Sequence, residues 1–207
     1  AEVRQPAAEV RQPAQNLGQP AERGESTPLP LKARAPLFRD GARAIVPSTR
    51  RVPPEAMSPN AKTHNYLNFV MAALERAPQP GEWPILLDTR GFLCEGNGSN
   101  IFIVKDGKVY TPKAQYVLAG ISRQVIFELC EKIGMKIIEA DIAPYDATVA
   151  DEMFISSTSL CMLGVSTFNG QPIGNGTFPG RITSQIMDAY KEDIGYDFVA
   201  QYLAHLD

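Results

Sequence analysis

Two pairs, Asp106-Gly107 and Asn169-Gly170, each sit between runs of alternating apolar and polar residues. Such a pair favours the left-handed backbone of a two-residue hairpin turn. The segments "GFLCEGNGSNIFIVKDGKVYTP" and "CMLGVSTFNGQPIG" therefore read as antiparallel strand pairs. Helical periodicity lies between them. Ser122–Ile133 puts Val125, Ile126, Leu129, Cys130 and Ile133 on one face and stops at Gly134. A chain that mixes hairpins with such helices is expected to be a mixed α/β fold of the α+β kind, not a doubly wound parallel sheet.

Other elements follow from the same signals. Strands are expected at Ala44–Pro47, "PILLDT", "MKIIEADI" and "EMFISST". Asn65 offers an N-cap to an amphipathic helix over Tyr66–Arg76, with Leu67, Val70, Met71 and Leu74 as its apolar stripe. A last helix is expected from about Ile182 to Lys191, after Pro179-Gly180. The first 36 residues differ in kind. "AEVRQPA" occurs twice in succession, and the stretch to Pro36 is rich in Pro, Gln, Arg and Glu. Too little apolar surface is available there to offset chain entropy, so 1–36 is expected to be a disordered or linker-like tail.

Composition narrows the function classes. The net charge is −3, which argues against a general nucleic-acid binder. The three cysteines, Cys94, Cys130 and Cys161, are widely spaced, and His64 and His205 lie far apart, so no metal pattern is present. No apolar run is long enough to span a bilayer, and the N-terminus lacks a signal-peptide core. A cytoplasmic protein is the default expectation.

Four places carry possible chemistry. Lys62 stands just ahead of a helix with Tyr66 four residues on, an arrangement suited to an amine held against a cofactor. Glu95 lies in "LCEGNGSNIF", whose glycines at 96 and 98 permit close backbone approach to something flat. Gly120 precedes a helix start at Ile121-Ser122, where free backbone N–H groups and the helix dipole attract an anion. Ser156–Ser159 is a hydroxyl cluster ending an apolar strand. Singly, these are also what a solvated lysine, a core tyrosine, a tight turn, a capped helix and a satisfied loop look like. Together they match pyridoxal 5'-phosphate group for group: aldehyde, phenolic oxygen, ring nitrogen and phosphate.

The segments "KTHNYLNFVMAALE", "LLDTRGFLCEGNGSNIFIVKDGKVYTP", "VLAGISRQVIFEL", "ADEMFISSTS" and "NGQPIGNGTFPGRIT" occur in an order and spacing that resemble the class IV, fold-type IV, pyridoxal-phosphate-dependent aminotransferases. The resemblance runs from about Arg43 to Tyr190. It implies the larger, cofactor-binding domain of that fold over 62–207, with 37–61 as connector and remnant of an N-terminal domain. It also implies Lys62 as the Schiff-base lysine and catalytic base, and Glu95 as partner of the pyridine nitrogen. Tyr66 would lie near the cofactor phenolate. Ile121, Ser122 and Thr158 would form the phosphate cup, with Thr158 and Ser159 near the substrate carboxylate. Substrates would be an amino acid, branched-chain first, and a 2-oxo acid, in a homodimer. Aminodeoxychorismate lyase and (R)-amine transaminase relatives share these residues, and a non-catalytic fragment is the other reading. Departures are "GIS" for the usual "GIT", and Cys161 and Leu163-Gly164 where many members have an acid and Thr-Pro. None of Arg43, Arg50 and Arg51 lies in the early strand that supplies the family's phosphate-binding arginine.

Overall fold

A computed structural model describes residues 28–63, 65–75 and 79–206. The AEVRQPA repeat, His64 and Arg76 lie outside the described residues. The strands are β1 (Ala42–Ile45), β2 (Glu82–Leu87), β3 (Leu93–Gly96), β4 (Ser99–Lys105), β5 (Lys108–Pro112), β6 (Ile137–Ala140), β7 (Glu152–Ser157), β8 (Cys161–Phe168) and β9 (Gln171–Pro172). The helices are α1 (Leu31–Asp40), α2 (Leu67–Leu74), α3 (Ile121–Lys132), α4 (Pro144–Thr148), α5 (Arg181–Ile194) and α6 (Phe198–Leu203).

The strands join in the order β3-β2-β1-β8-β7-β4, and β3 also pairs with β4, so this path closes on itself as a barrel. β5 and β6 extend outward from β4, and β9 hangs on β8. Pairs β1–β2, β1–β8 and β5–β6 are parallel and the others antiparallel, so the fold is the expected mixed one. Both hairpins form where expected: Asp106 and Asn169 take φ of 49° and 48°, each followed by a left-handed glycine.

Burial follows from closure. β4 is buried from Ser99 to Val104, on both of its faces, so the alternation that marks a one-sided strand does not hold there. Phe102 and Phe154 face each other across β4 and β7 and stack at 4.7 Å. α3 contributes Ile126, Leu129 and Cys130 to the core, and α5 contributes Ile182, Ile186, Met187 and Tyr190.

Several expectations need correction. The first described element begins at Leu31, ahead of the start expected near Leu37: α1 crosses the boundary expected at Pro36, with Pro36 inside it. Tertiary packing overrides the breaker, because Phe38 stacks on Tyr202 of α6 at 4.2 Å. The first strand is Ala42–Ile45, not Ala44–Pro47, and it lies hydrogen-bonded between β2 and β8. α5 is not the last helix, since α6 follows it, and α4 had no periodic signal. Asn65 is not the cap of α2: the helix begins after Tyr66, and the Asn65 N–H donates to Thr63 Oγ1. The stripe of α2 also faces the opposite way. Leu67, Val70, Met71 and Leu74 are 65, 45, 52 and 71% exposed, while Phe69 and Ala72 pack on Leu86.

Candidate active site

The turn between β3 and β4 and the segments around it enclose a cavity of about 210 Å³. Lys62, Tyr66, Glu95, Ile121, Ser122 and Thr158 all line it. Ser159 does not: its hydroxyl accepts from Arg34 Nη1 at 2.8 Å, and its carbonyl accepts from the Tyr202 hydroxyl at 2.6 Å. The structure thus brings together every predicted cofactor residue and sets the second substrate-side residue apart.

Glu95 is the electrostatic centre. It is 5% exposed on β3, opposite Asn100 of β4. Its Oε1 accepts from Arg51 Nε at 2.9 Å and its Oε2 from the Leu118 N–H at 2.9 Å. Burial pushes the Glu95 carboxyl up, opposed by the Leu118 N–H, by Arg51 and by the charge of Lys62.

One end of the cavity is built from the loop before α3. Gly120 is the N-cap, no side chain caps the helix, and Gly120, Ile121 and Ser122 all face the cavity. First-turn N–H groups have no partner inside a helix, so they remain available to a ligand. The loop is held in place by Asn100 Nδ2, which donates to the Leu118 carbonyl at 2.9 Å. Asn60 Oδ1 accepts from the Ala119 N–H at 3.0 Å. Asn60 also lies two residues ahead of Lys62, so one side chain couples the lysine loop to the anion loop. Across the cavity, the Ser156 and Ser157 hydroxyls at the end of β7 are buried without a hydrogen-bond partner. Orphaned buried hydroxyls normally find partners, and in a cavity wall that partner is a ligand or ordered water.

Lys62 and Tyr66 are exposed on the open side. Among the described residues no group of His, Cys, Asp and Glu could hold a metal. No helix among them is long and apolar enough to cross a membrane.

Arg51, Asn60 and Asn100 are site residues that sequence reasoning missed. The only available signal was general: a buried acid requires a cation. Nothing in the chain says which of the arginines answers it.

Residues 12–168 match the model of the family described as amino-transferase class IV. The chain belongs to that family. A Methanocaldococcus jannaschii protein with a provisional branched-chain-amino-acid aminotransferase name is 38% identical over 157 residues, 75% of this chain and 54% of that protein. The branched-chain-amino-acid aminotransferase of Escherichia coli K12 is 32% identical over 158 residues, 75% of this chain and 51% of that protein. Among solved structures, the T.th. branched-chain amino acid aminotransferase complexed with N-(5'-phosphopyridoxyl)-L-glutamate aligns with a TM-score of 0.71 at 31% identity. The alignment covers 76% of this chain and 53% of that one. This chain therefore spans about half the length of the relatives it matches.

Proposed function

We propose that this chain carries the pyridoxal-phosphate site of an aminotransferase that moves an amino group between an amino acid, branched-chain type first, and a 2-oxo acid. The observation that carries the reading is the convergence of Lys62, Glu95 and the uncapped start of α3 on one cavity. The donor set fits the cofactor. The N–H groups of Ile121 and Ser122, with Thr158, suit a phosphate, and the Glu95 carboxylate suits a protonated ring nitrogen. The orphaned Ser156 and Ser157 hydroxyls are further donors for its polar edge.

When bound, the cofactor supplies an electron sink for a carbanion at the substrate α-carbon. The chain's own residues do the rest. Lys62 would hold the cofactor aldehyde and, once the substrate amine displaces it as a free amine, would take and return the α-proton as base and acid. Glu95 would keep the ring nitrogen protonated. Tyr66 would orient the phenolic oxygen. A homodimer is part of this reading: the bare stripe Leu67, Val70, Met71 and Leu74 runs on from Tyr66 at the open side and suits a partner surface that would exclude water.

The exposure of Lys62 and Tyr66 favours a second reading, a chain that binds the cofactor with little turnover. The visible spectrum separates the two. Addition of pyridoxal phosphate should give a band absent in Lys62→Ala, and leucine, isoleucine or valine should bleach it with release of the matching 2-oxo acid. A stable band that no amino acid bleaches supports the second reading, and no band at all contradicts both.

A further inference from the structure

Arg51 belongs to the connector between β1 and α2, yet it is 8% exposed and lies at the cavity wall. Three elements fix it. Its N–H donates to the Leu87 carbonyl of β2 at 2.8 Å. Asn68 of α2 clamps both neighbours, accepting from the Val52 N–H at 3.1 Å and donating to the Arg50 carbonyl at 2.7 Å. The guanidinium lies 4.9 Å from the Phe69 ring centroid, so it is held from one face while Nε reaches Glu95. Leu118 N–H holds the other carboxylate oxygen. A carboxylate gripped on both oxygens cannot rotate, and its remaining lone pairs keep fixed directions.

We propose that Arg51 is a positioning residue of this site: it fixes Glu95, ionised and in one rotamer, to receive a protonated ring nitrogen of a pyridine-type cofactor. This rests on the cofactor reading above. It also gives Arg51 a different task from the phosphate ligand that family arginines supply. The charged groups facing Glu95 are Arg51 from the connector and Lys62 from the loop before α2. Asn100 of β4, opposite Glu95, and the Leu118 N–H are neutral. Among the described residues, only Arg51 is a charged group both buried and bonded to the acid. Loss of Arg51 therefore removes the cation that holds Glu95 ionised, whereas Lys62 is drawn away to the cofactor aldehyde on loading.

The test compares wild type, Arg51→Gln, Arg51→Lys and the neutral pair Arg51→Gln/Glu95→Gln. In cofactor-free protein, the isotope-edited carboxyl signal of Glu95 should titrate about one pH unit or more higher in Arg51→Gln, with Arg51→Lys close to wild type. Pyridoxal phosphate, followed by its visible band, should bind Arg51→Gln about tenfold or more weakly. With 1-deazapyridoxal phosphate, which has carbon in place of the ring nitrogen, that penalty should vanish. The neutral pair leaves no lone buried charge and covers the case in which Arg51→Gln does not fold: it should show the same penalty for pyridoxal phosphate and none for the deaza form. An unmoved carboxyl midpoint, or an equal loss with both cofactor forms, overturns the assignment and leaves Arg51 a structural ion pair. Wild-type protein that binds neither form overturns the cofactor reading itself, and the ring-nitrogen role of Arg51 with it.

Discussion

At the scale of single residues, the site divides into groups whose removal harms the fold and groups whose removal harms only the chemistry. Glu95 is of the first kind. Glu95→Gln leaves the Arg51 guanidinium buried against a neutral partner, and breaking such a pair should cost about 3 kcal/mol. Urea unfolding would measure it, as a lower midpoint with an unchanged slope. Lys62 is of the second kind: exposed, it should be replaceable by Ala within about 0.5 kcal/mol. The place of Lys62 and Glu95 at the cavity was legible in the sequence because each sits in a local context with a physical reason, a helix entry and a Gly-rich turn. Arg51 was not, because its partner lies 44 positions away and only the paired strands bring them together. That Ser159 stands outside the cavity was hidden for a similar reason. Its neighbour Arg34 belongs to a helix that composition hid.

At the scale of elements, the loop leading into α3 forms one end of the cavity, where the proposed anion site lies, and depends on several anchors. Gly120 is one of them. A Cβ at this position would come within 2.7 Å of Asn100 Oδ1, the side chain that holds Leu118. Gly120→Ala should therefore lower stability by about 1–3 kcal/mol and weaken inorganic phosphate binding, which isothermal titration can follow. The far side of the same loop is tied by Lys113 to Asp141, which also accepts from Arg90. Those two hydrogen bonds, Lys113 first, hold the Asp141 carboxyl below its ordinary 3.8. The unfolded chain binds this proton more readily, so the stabilisation is present above about pH 4 and is lost as pH falls through the lower folded value. The melting-temperature difference between wild type and Asp141→Asn should shrink on acidification from pH 6 to pH 3. α3 was placed within a residue by its periodicity, Ser122–Ile133 expected against Ile121–Lys132. α2 was not, since apolar spacing finds a stripe but cannot say whether that stripe faces this chain's core.

At the scale of the whole molecule, the hairpins were local and legible, while closure of the barrel was not. β1 pairs with β8, Ala42 opposite Val165, and no turn signal announces a pairing between strands so far apart in the chain. The exposed stripe of α2 belongs to this scale too. If it is the dimer surface, wild-type protein should sediment at twice the monomer mass, and Leu67→Lys with Leu74→Lys should sediment as a monomer. Thermal unfolding extrapolated to infinite dilution should be unchanged within about 0.5 kcal/mol, because neither side chain is buried in this chain.

The central claim is that Lys62 is the amine of a pyridoxal-phosphate site, and borohydride reduction after loading tests it most directly. Peptide mass mapping should place the phosphopyridoxyl group on Lys62 at one equivalent, with the other lysines unlabelled. Label spread over surface lysines, or retained at full yield in Lys62→Ala, would contradict the account.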